Sequence, residues 1–289
     1  MQDTPLLVSP EWLAERLDSP GLVVVDATVH LPDTGRDAAA EYRAGHVPGA
    51  SFFDLGRIAD PANPLPRKIP PPEVFAREVG ALGIGNDTHV IAYDTPGLYS
   101  AARVWWLFRQ FGHDRVSVLD GGLVAWQAAG LPLEEGTGPH RPATRFDIRE
   151  TRDLLARWPQ VRAAADDRAP ILDARTAGRF AGTEPDRYPG TRDGHIPGSL
   201  HLYWGDLLDP ETRRMLPPET LRARFEAAGL GPDGPVTLSC GSGLTACILA
   251  LGLTRIGRED WRVYDGSWDE WGRRPDLPLA TGPAGAEER

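Results

Sequence analysis

Short apolar runs alternate with amphipathic stretches along the whole chain. Leu22-Val23-Val24-Val25, His89-Val90-Ile91-Ala92-Tyr93 and Val116-Ser117-Val118-Leu119 are brief and rich in β-branched side chains, the pattern of buried strands. Pro10-Glu11-Trp12-Leu13-Ala14-Glu15-Arg16-Leu17 reads as a helix capped by Ser9. Residues 100–111 predict a second helix between the second and third strands. In the other half, strands are expected at Ile171–Leu172, Val236–Leu238 and Trp261–Tyr264, with a helix over Ala246–Leu251. Strands that are apolar almost throughout, alternating with helices, predict an α/β fold: a mainly parallel sheet with helices on both faces.

The pattern is written twice. Val24-Val25-Asp26-Ala27 returns as Ile171-Leu172-Asp173-Ala174, and Gly45-His46-Val47-Pro48-Gly49 as Gly194-His195-Ile196-Pro197-Gly198. Val118-Leu119-Asp120-Gly121-Gly122, closing at Trp126, returns as Val263-Tyr264-Asp265-Gly266-Ser267, closing at Trp271. The matched aspartates and histidines stand 147, 149 and 145 positions apart, so the halves are tandem copies of one domain. Trp126 and Trp271 are expected as core anchors. Between the copies, residues 134–142 are rich in Gly and Pro and carry no apolar period. The expected division is a first domain over 1–138, a linker over 139–149 and a second domain over 150–289.

Composition narrows the function classes. With 41 acidic and 31 basic residues the chain has a formal charge of −10 and no long basic run, which argues against nucleic acid as a partner. No apolar stretch approaches the ~20 residues of a membrane span, and no secretory signal is visible at the start. Two cysteines form no disulfide framework and fit a reducing cytoplasm. The histidines are scattered without metal-site spacing, so neither a metal nor a cofactor is expected.

One of those cysteines stands in a chemically loaded place. Strand-type residues 235–238 lead through Ser239 into Cys240-Gly241-Ser242-Gly243-Leu244-Thr245, and the helix-like run follows at once. That order puts a sulfur where backbone N–H groups converge at a helix N-terminus, a setting that favours a thiolate and an anion attached to it. Gly241 and Gly243 are expected to let the backbone take positive φ and approach a ligand closely. The first copy has Asp94 where Cys240 stands, inside a loop of the same kind, so it keeps the architecture without the nucleophile and reads as catalytically inactive. Cys247 falls within the helix and reads as core. A cysteine phosphatase would need a longer loop closing on an arginine. Six positions after Cys240 stands Ala246, and the next arginine is Arg255.

These features together resemble the tandem-domain rhodanese sulfurtransferases over nearly the whole chain. The resemblance is carried by residues 42–50, Gly178-Arg179-Phe180, the two Asp-Gly…Trp segments and the cysteine loop. A loop opening Cys-Gly-Ser-Gly is similar to those of the members that use 3-mercaptopyruvate, with Leu244 where Val is common there. Members using thiosulfate carry basic residues directly after the cysteine. The resemblance implies sulfur transfer from 3-mercaptopyruvate through a Cys240 persulfide, with thiosulfate as the alternative donor. Implied acceptors are a small thiol, a thioredoxin-like protein or cyanide. A non-catalytic sulfur-sensing or interaction module is the alternative of another class.

The resemblance also implies roles for particular residues. Arg179 holds the substrate carboxylate, for which a guanidinium fork is well shaped. A second arginine is expected a little further on. Gapless counting from Arg179 reaches Tyr188, with Arg187 one place before and Arg192 nearby; Arg187 is the candidate. Gly241, Gly243, Leu244 and Thr245 shape the substrate loop, and Ser242 and Thr245 add hydroxyl donors. Asp37 and His46, from the first domain, complete a proton relay with Ser242. His46 has a second reading as a brace of its turn, since His195 sits in the same frame.

Overall fold

The computed structural model describes residues 4–31 and 34–285. The chain divides into two compact units, the first running up to Arg152 and including Pro210–Met215, the second beginning at Asp153. Among the described residues no helix is long and apolar enough to cross a membrane.

The first unit runs β1 (Leu7–Val8), α1 (Pro10–Ala14), β2 (Leu22–Asp26), α2 (Ala38–Ala44), β3 (Ser51–Phe52), α3 (Pro72–Ala81), β4 (His89–Tyr93), α4 (Ala101–Gln110), β5 (Val116–Leu119) and α5 (Gly122–Ala128). The second runs β6 (Leu155–Ala156), α6 (Trp158–Asp166), β7 (Ile171–Asp173), α7 (Ala177–Ala181), β8 (Leu200–His201), α8 (Pro218–Ala227), β9 (Val236–Ser239), α9 (Ala246–Arg255), β10 (Trp261–Tyr264) and α10 (Ser267–Trp271). Each builds one five-stranded sheet, ordered β1-β5-β4-β2-β3 in the first and β6-β10-β9-β7-β8 in the second. The two orders are the same, and every described strand pairing is parallel. In β4, Val90, Ile91, Ala92 and Tyr93 are all fully buried. Successive strand residues point to opposite faces, so burial of all four means that both faces are covered.

Registry brings the chemistry to one edge. Asp26 pairs with Tyr93, placing it beside Asp94, and Asp173 pairs with Ser239, placing it beside Cys240. Val263 pairs with Leu238, so the segment after β10 also reaches the cysteine loop. These are the carboxyl ends of parallel strands, where open α/β sheets bind ligands.

Ser9 caps α1 by accepting from the Trp12 N–H at 3.1 Å, but the helix stops at Ala14 rather than Leu17. The Arg16 N–H turns back to the Leu13 carbonyl and Ser19 to Arg16, tightening the chain so that it can enter β2. Trp126 and Trp271 are fully buried, and each indole N–H donates to a proline carbonyl, Pro132 at 2.8 Å and Pro278 at 2.7 Å. Residues 139–149 carry no helix or strand. They lie against the first unit: Thr144 N–H donates to Gly80 O, Asn86 and Asp147 exchange two hydrogen bonds, and Phe146 is buried edge-on to Phe75.

Candidate active site

Cys240 follows the last residue of β9, and α9 begins at Ala246. The Gly243 N–H points at the Cys240 Sγ at 3.1 Å. Gly243 adopts φ +81°, and a Cβ there would lie 2.5 Å from the Asp265 carbonyl, so only glycine closes this turn. Ser267 approaches from the segment after β10. Its Oγ accepts the Cys240 N–H at 3.1 Å and stands 3.9 Å from Sγ, while its own hydroxyl donates to Tyr264 O at 2.7 Å. Ser267 is held at φ +50°, an uncommon conformation for a residue with a Cβ. The two backbone bonds from Trp268 to Cys240 O and from Asp269 to Gly241 O lock the loop to α10.

The first unit displays what this kind of loop holds. Asp94 is fully buried, and its Oδ2 accepts from the N–H groups of Tyr99, Ser100 and Ala101, each at 2.7 Å. Gly97, at φ +77°, matches Gly243. The loop is therefore an anion cradle, filled in this copy by its own carboxylate. Burial pushes the Asp94 carboxyl up, against the opposing pull of the converging N–H groups.

Ser242, Leu244 and Thr245 are all buried within the second unit's loop. Cys247 is fully buried in α9, where Ala246 through Leu253 are buried without a break, and its thiol donates to Gly243 O at 3.4 Å. Both cysteines are free.

Gly241 sits under two side chains. A Cβ on it would lie 2.6 Å from Tyr188 Cε2 and 2.8 Å from Arg179 Nη2. The Arg179 guanidinium stands 5.9 Å from the Tyr188 ring centre and donates through Nη2 to Asp186 Oδ1 at 2.8 Å. Asp186, its side chain buried, also takes Arg175 Nη1 at 2.9 Å. Arg175 in turn grips Asp173 through Nη2 at 2.9 Å and Nε at 3.0 Å, with its guanidinium over the Trp268 ring. Burial pushes the Asp173 carboxyl up, but the Arg175 charge and the hydrogen bonds from Arg175 together outweigh it and the net shift is downward.

The remaining expected residues have these contacts within their own units. Arg187 has an exposed side chain, and its backbone N–H donates to Asp186 at 2.7 Å. Arg192 is used on the α10 end, donating to the carbonyls of Gly272, Arg274 and Leu277. In the first unit Asp37 caps α2, accepting the Ala40 N–H at 3.1 Å. His46 is fully buried, stacked on Tyr42 at 4.1 Å, with Nδ1 2.8 Å from the Tyr42 carbonyl. His195 repeats that geometry on Phe180, at 3.8 Å and 2.9 Å.

Sequence reasoning did not single out Ser267 or Asp186. For Ser267 a signal exists, since the repeat has Gly122 at its place, at φ +54°. A serine replacing a glycine at a left-handed position brings a hydroxyl to the loop despite the strain.

Comparison with known proteins places this geometry. A profile of the rhodanese-like domain matches residues 9–129 and again 158–274. The 3-mercaptopyruvate sulfurtransferase of Escherichia coli strain K12 is 40% identical over 278 residues, covering 96% of this chain and 98% of the relative. The thiosulfate sulfurtransferase of Bos taurus is 41% identical over 289 residues, covering 96% of each. The crystal structure of SseA from Escherichia coli superposes with a TM-score of 0.83 at 38% identity, covering 92% of this chain and 99% of that one.

Proposed function

The chain belongs to the rhodanese-like family, with two matched domains in tandem, and from that premise we propose that it is a sulfurtransferase taking sulfur from 3-mercaptopyruvate. The observation that carries the reading is the cradle around Cys240: a sulfur met by the Gly243 N–H at 3.1 Å, in a loop without a cation. In the twin loop the same arrangement holds a carboxylate.

The Cys240 thiolate attacks the sulfur of the donor. The new S–S bond forms as the C–S bond breaks, and the electron pair leaves on carbon as the enolate of pyruvate. The proton of the donor thiol passes to that carbon, giving pyruvate and leaving Cys240 as a persulfide anion. Gly243 N–H and the α9 terminus hold that charge. An acceptor thiol or cyanide then attacks the outer sulfur and returns Cys240 as thiolate, so one difficult transfer becomes two easier ones. Arg179 takes the donor's carboxylate, and Ser242, Leu244 and Thr245 line the loop. Acceptors of the thiol, thioredoxin-like or cyanide type fit the electrophilic sulfur of a persulfide. Two free, buried cysteines fit a reducing compartment such as the cytoplasm.

Thiosulfate is the second reading, supported by the bovine relative. A side-by-side assay of both donors with cyanide tests the choice: kcat/KM should be higher for mercaptopyruvate, and a preference for thiosulfate would reverse the assignment. Cys240→Ser should abolish turnover and the mass gain of one sulfur atom after donor treatment, while Cys247→Ser keeps most activity. Loss of activity in Cys247→Ser with Cys240→Ser still active would remove Cys240 from the mechanism.

A further inference from the structure

We infer that Tyr188 determines donor specificity: its hydroxyl and the Arg179 guanidinium together form a receptor, above Gly241, for the carboxylate of a singly charged 2-oxo-acid thiol. The inference rests on the sulfur-transfer reading above and adds a residue to it.

Position comes first. Tyr188 Cε2 and Oη would lie 2.6 and 3.0 Å from a Cβ on Gly241, the residue directly after the nucleophile. The Tyr188 ring and the Arg179 fork thus form one wall over the loop backbone, and only a glycine at 241 lets them approach so closely. Neighbouring Arg187 has its side chain at the surface, so the chain presents a tyrosine to the loop.

The donors available on that wall come next. Arg179 commits Nη2 to Asp186, and its Nε is buried without a hydrogen-bond partner. A buried, unpartnered N–H of a cation is costly, and a carboxylate oxygen from a ligand would satisfy it. The Tyr188 hydroxyl bonds with the Ser242 side chain. Burial pushes that hydroxyl above its ordinary value, and the Cys240 charge pushes the same way, so at neutral pH it is an O–H donor.

Charge then selects the ligand. The carboxylates of Asp173 and Asp186 balance the guanidinium groups of Arg175 and Arg179 in one buried network. The wall adds a hydroxyl to this network but no second cation. A single carboxylate, bonded by a guanidinium edge and a phenol, suits it. A compact dianion would enter with twice the uncompensated charge of a monocarboxylate, which a desolvated site penalises more.

The test compares wild type, Tyr188→Phe and Tyr188→Arg with mercaptopyruvate and thiosulfate, cyanide being the acceptor. Tyr188→Phe should raise KM for mercaptopyruvate about tenfold, the size of one hydrogen bond to a charged group, and leave thiosulfate within about twofold. Tyr188→Arg should move the donor ratio towards thiosulfate. Protection of Cys240 from iodoacetamide by pyruvate gives a readout without turnover, and Tyr188→Phe should need about tenfold more pyruvate. Equal changes for both donors, or no change in either the donor ratio or the protection, overturn the inference. A wild type that prefers thiosulfate overturns the donor assignment instead. The variant-to-wild-type ratios still report on Tyr188.

Discussion

At the scale of single residues, the two histidines of the repeat are the sharpest comparison. His46 and His195 are both buried, each stacked on an aromatic ring, Tyr42 or Phe180, whose backbone carbonyl its Nδ1 contacts. Each also forms a backbone bridge to a distant segment, His46 with Glu134 and His195 with Ala280. One copy carries the nucleophile and the other does not, so a shared geometry points to a shared bracing job. His46→Ala should therefore cost about 2 kcal/mol of stability for a lost hydrogen bond and a buried ring, with kcat per folded molecule unchanged. Thermal melting beside steady-state kinetics distinguishes this from a relay. A fall in kcat at an unchanged melting temperature would instead favour the relay role for His46 and Asp37.

At the scale of elements, the strand–loop–helix unit exists in two chemical versions on one backbone plan. In β9–α9 the Gly243 N–H turns to a sulfur, and in β4–α4 three N–H groups turn to a carboxylate. Asp94 thus acts as a permanent occupant that keeps three N–H groups of a buried helix start bonded. Asp94→Ala should destabilise the first unit by about 3 kcal/mol or more, because buried donors lose a charged acceptor, and Asp94→Asn by less. Hydrogen exchange of the peptide spanning residues 95–105 reads this locally. Unchanged protection in Asp94→Ala would refute the cradle as a stabilising element.

At the scale of the whole molecule, the two units carry opposite buried acids at the same sheet position. The net shift of Asp173 is downward: burial raises it, and the Arg175 charge together with the hydrogen bonds from Arg175 outweighs burial. Its contribution to stability is complete above the ordinary aspartate value of 3.8 and fades as pH falls through its lower folded value. Asp26 is shifted upward by burial, with the nearby Asp94 adding to the effect. Its contribution favours folding below that ordinary value and is lost as pH rises through its folded value. Acidification below about pH 4 should therefore weaken the second unit relative to the first. Peptide-resolved hydrogen exchange at falling pH should show residues 171–173 and 236–239 opening before 22–26 and 89–93. The reverse order would count against this balance of buried charge.

The repeat, the parallel α/β plan, the buried tryptophans and the strand–Cys240–helix order were legible in the order of residues alone. All of these follow from apolar period, turn chemistry and neighbours close along the chain. Helix ends were less legible, as α1 shows, because the turn into β2 rather than propensity ends it. Which side chains reach the sulfur is settled by packing in three dimensions. Arg187 and Arg192 read alike as charged residues after Arg179, yet one faces solvent and the other binds the carbonyls at the end of α10. Tyr188 reaches Gly241, and Ser267 reaches Cys240, from segments far away in sequence. Such contacts are set by strand registry and by close packing around two glycines, and no local pattern encodes them.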